Sequence, residues 1–368
     1  MRVVFAPDSF GGLASADRAA RWLAQGWAQV SGGDDRVLAP MSDGGPGFAA
    51  VIAAGVPNAR TSPVTITGPT GVDVDARIVR VETTVYVESA LGCGLELVRR
   101  HRGDVRTATT VGVGQLISAA AAATPAVETV VVGLGGSGTN DGGAGMWAAL
   151  GAEPRERLQA GGLALSQIGP VSPPADLGVA LVAATDVDNP LLGLTGASAV
   201  FGPQKGADEA TVMSLDLALE RWADAAEVAV SRAGLRETAG AGAAGGLGFG
   251  LLALGARRVS GVALVSDLIG LRPTIAGADL VITGEGRYDG TSLRGKVACG
   301  VAEAAAQSGV PCVVAAGQSV VGAREAAAHG VEEVWSAAEL LGSVDAAMAP
   351  DGEGLRALGR AIAASWSR

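Results

Sequence analysis

Histidine, lysine and cysteine are nearly absent from this chain of 368 residues: two, two and three of each. The two histidines, His101 and His329, lie in the polar stretches RRHRGD and AAAHGVEE. They read as surface residues, and they leave too little imidazole for a histidine-held metal or a Ser-His-Asp triad. Cys93, Cys299 and Cys312 are odd in number and fit neither a zinc spacing nor a CxxC pair, so reduced, mostly buried thiols are expected. Positive charge is also short: 27 Lys and Arg against 37 Asp and Glu give a net charge of −10. No basic stripe forms, and the Trp and Tyr residues are not interleaved with Lys or Arg, which argues against a nucleic-acid partner. No apolar run of membrane-spanning length lacks a charge or proline, so no membrane association is expected. The opening MRVVFAPDSF has too short an apolar run for a secretory signal, and a cytoplasmic protein is expected.

Glycine is abundant, at 56 residues, and gathers at the ends of apolar runs, where tight turns belong. The length suggests two domains, and a composition 48% hydrophobic supplies a large core. Short apolar strands alternate with alanine-rich amphipathic helices, the α/β pattern. Strands are expected at 2–6, 36–41, 129–134, 179–185, 279–284, 312–317 and 332–337, with a helix after the first that begins at the N-cap Ser15. Residues 63–91 alternate polar and apolar between glycine-rich turns and predict antiparallel hairpins. The reading is a Rossmann-like α/β domain with a parallel sheet, from residues 1–60 plus 276–368, and an inserted mixed α/β domain, 61–275.

Five expected strands end in loops that carry carboxylates: APDSFGG, PMSDGGPG, GLGGSGTNDGG, ATDVDNPLLG and TGEGRYDGTSLRGK. Ligands of open α/β sheets bind at the carboxyl ends of strands. The third loop, Gly133–Gly143, has two readings. Gly133, Gly135 and Gly138 match a dinucleotide-binding GxGxxG, but no second strand ending in Asp or Glu follows at the required distance. The other reading is a phosphate cradle of convergent backbone N–H groups at a helix start, with Ser137 and Thr139 as further donors. Asp141 then holds Mg²⁺ or, with Asn140, caps the helix. GTSLRGK, 290–296, resembles a phosphate loop but lacks the Ser or Thr after its lysine. Lys205 and Lys296 are the chain's two lysines; each is a candidate point charge for phosphate, with a surface lysine the alternative for Lys296. GAGAAGGLGFG, 240–250, is either a close backbone approach to a ligand or tight packing.

Taken in order, APDSF with SADRAA, PMSDGG, GLGGSGTNDGGAGM, DVDNPLLG, VFGPQKGA, GAGAAGGLG and DLVITGEGRYD followed by GK resemble the loops of the glycerate kinase family, of the bacterial type that phosphorylates D-glycerate with ATP. The resemblance runs along almost the whole chain. It implies two α/β domains with the active site in the cleft between them, ATP with Mg²⁺ as cofactor, a small hydroxy acid as substrate and, in many members, 2-phosphoglycerate as product. The chain departs from the family's pattern at Gly11, where Lys is frequent, at Pro46, where Glu is usual, and at Thr291, where Gln is usual. On this reading Gly135, Gly136, Ser137, Thr139, Asn140, Gly284 and Glu285 bind ATP, and Asp141 or Asp289 holds the metal. Lys205, Lys296 and Arg287 offset charge on the transferring group. Asp186 first, or Asp8, accepts the hydroxyl proton, while Ser9, Asp43, Asn189 and Arg287 hold the acid. A kinase for another hydroxy acid, a dinucleotide-binding protein and a non-catalytic ligand-binding protein are the alternatives. Oligomeric state has no signal in the sequence.

Overall fold

The computed structural model describes residues 1–293 and 295–367. Eleven strands occur among them: β1 Arg2–Phe5, β2 Asp35–Leu38, β3 Arg60–Thr67, β4 Asp73–Val81, β5 Thr84–Glu88, β6 Thr129–Gly133, β7 Ala180–Ala184, β8 Arg257–Val259, β9 Leu280–Tyr288, β10 Cys312–Ser319 and β11 Glu333–Ser336. The chain divides into two compact units, one of Met1–Asp43, Ala50–Pro57 and Gly261–Arg368, the other of Gly44–Ala49 and Asn58–Ser260.

The first unit holds a five-stranded sheet in the order β11-β10-β9-β1-β2, parallel throughout. Its central strands read VVF, LVI and CVVAA because a parallel sheet covered on both faces has no polar side. The helix Ala16–Val30 starts where the Ser15 side chain accepts the Arg18 N–H at 3.3 Å. Its buried stripe, Ala19, Ala20, Trp22, Leu23 and Trp27, recurs at helical spacing and faces the sheet and the helix Glu353–Trp366. Those two helices nearly touch backbone to backbone: a Cβ on Gly26 would strike the Arg356 carbonyl, and one on Gly359 the Leu23 carbonyl.

In the second unit the order is β3-β4-β5-β6-β7-β8, with β3, β4 and β5 antiparallel to one another and β5 through β8 parallel. The hairpins expected over 63–91 are therefore β3–β5, and β5 is also the first parallel strand of the sheet. The strand β8 is three residues long, too short for a periodic signal, and sequence reasoning missed it. The core centres on Trp147, Trp222 and Phe249, with the two indoles edge to face at 5.1 Å.

The unit boundaries fall elsewhere than at the residues read from the sequence. Gly261–Leu268 and Leu271–Ala276 group with the first unit, because they pack on its own elements: a Cβ on Gly300 would lie 2.5 Å from Val262, and one on Gly55 2.7 Å from Ile269. Residues Gly44–Ala49 group with the second. No helix among the described residues is long and apolar enough to cross a membrane.

Gly26→Val forces a branched side chain into the Arg356 backbone, and overpacking of this kind costs about 1–3 kcal/mol. Urea unfolding of the variant is expected to show that loss; a midpoint equal to wild type would mean the two helices do not meet there.

Candidate functional site

In the first unit β1 lies between β2 and β9, so the loops that leave these strands emerge side by side. Asp8 and Asp43 lie in the loops after β1 and β2, and Glu285 lies within β9, past its last pairing with β1. The Asp8 N–H donates to the Gly284 carbonyl at 2.8 Å, and its Oδ1 accepts the Ser9 N–H at 2.6 Å. Loss of water raises the Asp8 carboxyl well above the usual carboxylate range, and the charges of Asp43 and Glu285 add to this against the Ser9 bond. Glu285 is 9% exposed and is pushed up to about 7 by burial, with Asp43 and Asp289 adding and Ser292 and Lys296 opposing. Its Oε1 has no hydrogen-bond partner among the described residues. Gly284 is obligatory beside it, because a Cβ there would overlap the Ala315 carbonyl on β10.

The loop after β9 is a chain of short contacts. Lys296 Nζ donates to Thr291 Oγ1 at 2.9 Å, and Thr291 donates from N and Oγ1 to Asp289 Oδ1 at 2.9 and 2.7 Å. Arg287 Nε meets Asp289 Oδ2 at 3.2 Å. The Thr291 hydroxyl is the main reason the Asp289 carboxyl sits below its usual range, with Lys296 and Arg287 assisting. Lys296 is the N-cap residue of the helix Val297–Gln307, where the helix dipole disfavours a cation unless an anion is near.

The second unit explains the glycines of the loop after β6. A Cβ on Gly133 would lie 2.7 Å from the Gly44 carbonyl oxygen, one on Gly135 2.6 Å from Gly45 Cα, and one on Gly136 2.5 Å from the Pro46 ring. Gly142 faces Trp222, whose Nε1 donates to the Gly142 carbonyl at 2.9 Å, and Gly143 faces Gly250. Each glycine thus gives room to protein, and two backbones, 44–47 and 133–136, lie in van der Waals contact.

The polar residues between these glycines are buried. Lys205, 7% exposed, donates from Nζ to Ser137 Oγ at 3.0 Å and to the Thr139 carbonyl at 2.7 Å. Burial lowers its ammonium to about 8, and Cys93 and Asp141 oppose this only in part. The Cys93 thiol is itself pushed up to about 12 by burial, so it stays neutral there. A Cβ on Gly245 would lie 2.9 Å from Lys205 Nζ, so the run at 240–250 closes over the lysine. Asn140 Nδ2 donates to Ser198 Oγ at 2.9 Å, whereas Asn140 Oδ1 and Thr139 Oγ1 are buried without a partner among the described residues. Asp141 is fully buried. Its carboxylate accepts the N–H and hydroxyl of Thr110 at 2.8 and 2.9 Å, the N–H groups of Gly143 and Gly145 at 3.2 Å and a weak bond from Thr109. After β7, Asp186 is half-buried, Asp188 pairs with Arg258, and Asn189 Nδ2 donates to the Thr195 carbonyl at 2.8 Å.

The glycerate kinase family model matches residues 3–367. This chain belongs to the glycerate kinase family. It is 37% identical to a glycerate kinase of Halalkalibacterium halodurans over 379 aligned positions, covering 100% of this chain and 99% of the relative. It is 36% identical to the glycerate 2-kinase of Escherichia coli, covering 94% and 93% of the two chains. A crystal structure described as a putative glycerate kinase 2 from Salmonella typhimurium LT2 superposes with a TM-score of 0.76 at 36% identity, covering 99% of this chain and 98% of that one.

Within this family of kinases, the structure sorts the residues named from sequence into two sets. In the first unit Asp8, Ser9, Asp43, Gly284, Glu285, Arg287, Asp289 and Lys296 lie at or beyond the carboxyl ends of β1, β2 and β9. In the second, Ser137, Thr139, Asn140, Asp141 and Lys205 are buried, Gly135 and the exposed Gly136 precede them in the same loop, and Asp186 and Asn189 follow β7. Two of these residues differ in surroundings from what their roles require. Asp141, given to a metal by the sequence reading, has both oxygens taken by protein donors and holds the helix Ala144–Ala149 onto Thr110. Lys205, read as a point charge for phosphate, spends two of its three N–H donors on its own loop. Sequence reasoning missed Thr110 and Ser198, which bond Asp141 and Asn140 from distant segments, and Glu88, which bonds the Gly47 and Ala49 N–H groups; the paired threonines of TATTVGVG, just before a helix, were the one visible signal.

A lysine ammonium depressed to about 8 is charged in the unfolded chain up to its ordinary value of 10.5. The penalty of burying that charge is present at pH 7, fades as pH rises through about 8, and is gone above 10.5. Relative to Lys205→Met, wild-type stability is therefore expected to rise between pH 8 and 10. Denaturant titrations of both proteins at several pH values check this, and parallel pH curves would place the ammonium in water.

Proposed function

We propose that this kinase transfers the γ-phosphoryl group of ATP to D-glycerate, with the 2-hydroxyl as acceptor and 2-phosphoglycerate as product. Membership of the family points to a nucleotide donor and a glycerate-like acceptor. The observation that carries the chemistry is the pair Asp8 and Glu285 on neighbouring strands β1 and β9, where burial and the nearby charge of Asp43 raise their proton affinity, with Lys296 close to Glu285. A carboxylate so placed is a stronger base than one in water.

In the proposed step the hydroxyl oxygen forms the new bond to the γ-phosphorus, the bond from that phosphorus to the bridging oxygen of ADP breaks, and the hydroxyl proton passes to a carboxylate. Asp8, whose proton affinity burial raises, and Asp186, which follows β7, are the two carboxylates proposed for this role. Lys296 and Arg287 offset the charge of the transferring group. In the first unit Ser9 and Asp43 hold the acid. In the second unit the Gly135–Thr139 loop, with Asn140, takes the nucleotide, and Lys205 keeps that loop in shape. Among the described residues no three His, Cys, Asp or Glu side chains converge as a metal cluster. Mg²⁺ needs only one or two carboxylates besides water and phosphate oxygens; the partly exposed Asp289, whose Oδ2 meets only the exposed Arg287, would hold it, whereas the fully buried Asp141, with both oxygens bonded inside the protein, does not fit. When bound it would neutralise phosphate charge. A kinase for a related hydroxy acid fits the same residues.

ADP release from Mg-ATP is to be measured against a panel of hydroxy acids, with the product identified by NMR. D-glycerate is expected to give the highest kcat/KM and 2-phosphoglycerate; another acid in first place replaces the substrate, and no ADP release with any acid removes the reading. Asp8→Asn is expected to lower kcat about 10²–10⁴-fold, the usual worth of a general base. That loss in Asp186→Asn, with near-normal Asp8→Asn, would move the base to Asp186.

A further inference from the structure

Glu88 ends β5 and is 4% exposed. No role follows for it from the reaction proposed above. Its two carboxylate oxygens take one backbone donor each: Oε1 accepts the Gly47 N–H and Oε2 the Ala49 N–H, both at 3.0 Å. Those donors stand at the start of the helix Phe48–Gly55, whose first N–H groups have no partner within the helix. A buried carboxylate is retained only where such bonds replace its water, and here the protein's own anion occupies the helix end.

The clamp reaches further than one turn. Glu88 is the register partner of Gly133, and the Ser89 N–H donates to the Gly133 carbonyl at 3.1 Å. The Phe48 ring lies over this pair, edge to face with Tyr86 at 6.2 Å and 2.7 Å from where a Cβ on Gly133 would stand. The segment 44–47 is thereby held against Gly133, Gly135 and Gly136, at the spacings given above, with Pro46 seated over Gly136.

We propose that Glu88 is a positioning residue for the nucleotide: by gripping the Gly47 and Ala49 N–H groups it holds the segment 44–47 as a buttress under the Gly135–Thr139 loop. The effect on ATP rests on the reading that this loop takes the phosphates; the clamp itself does not.

The test therefore has two arms. In amide hydrogen exchange, Gly47 and Ala49 of the wild-type protein are expected to be slow, although both sit at a loop–helix junction. Glu88→Gln replaces one acceptor oxygen by an NH₂ that opposes a backbone N–H, and is expected to speed exchange at least tenfold in peptides covering both 44–49 and 133–139. In steady-state kinetics the same variant is expected to raise the KM for ATP about tenfold, with the KM for glycerate and kcat changed less than threefold. Glu88→Asp keeps the charge but is one methylene short, and is expected to fall between. Fast exchange at Gly47 and Ala49 in wild type overturns the proposal even if no variant folds. Faster exchange at 44–49 with 133–139 unaffected, or an equal fall in every kinetic constant, overturns the buttress. Faster exchange in both segments with unchanged ATP affinity keeps the clamp and removes the nucleotide from the loop.

Discussion

The second unit depends on two stretches of backbone approaching each other where one of them, 133–136, has almost no side chains. Gly44–Gly47 and Gly133–Gly136 lie so close that a single methyl group at 133, 135 or 136 would displace one of them. Glycine loses more conformational entropy on folding than any other residue. The close packing of the two segments and their fixed hydrogen bonds are the offsetting gain, and they leave a loop whose path is set by protein contacts before any ligand arrives. A loop ordered in this way does not have to be ordered by its substrate, which is the general advantage of preorganisation.

The buried charges of this unit follow the same logic. Glu88 and Asp141 are carboxylates solvated by backbone N–H groups, and Lys205 is an ammonium solvated by a hydroxyl and a carbonyl. In each case the charge is met by dipoles of a segment distant in sequence, so the bond that solvates the ion also fixes the loop. Removing one partner of such an arrangement leaves a buried polar group unsatisfied, and that cost exceeds the modest net worth of the bond itself. The glycine loop is held by Lys205 and by Asp141, and the segment beneath it by Glu88.

The first unit uses charge in the opposite way. Asp8 and Glu285 are buried with other carboxylates nearby, and both take the consequence as raised proton affinity; Glu285 Oε1 has no hydrogen-bond partner among the described residues. Lys296 and Arg287 stand close by but are tied to Thr291 and Asp289. The structural anchors Glu88 and Asp141 are bonded on both oxygens, whereas Glu285 keeps a buried Oε1 without a partner among the described residues.

Much of this was legible in the residues. The parallel strands appear as apolar runs, the hairpins of β3–β5 as alternation, and the cap at Ser15 as a polar residue before an amphipathic stretch, because each is a local consequence of backbone geometry. The strand-end carboxylates were legible too, since α/β topology places those loops together. What the chain alone did not determine is which polar residue faces a ligand and which faces protein. Asp141 beside Asn140 has one spelling whether its oxygens meet a metal or Thr110, and Glu88 reads as the end of a strand until Gly47 and Ala49 come to it. Those partners are supplied by segments tens of residues away. Hydrogen bonds across such distances leave no period in the sequence, so only the tertiary structure could assign them.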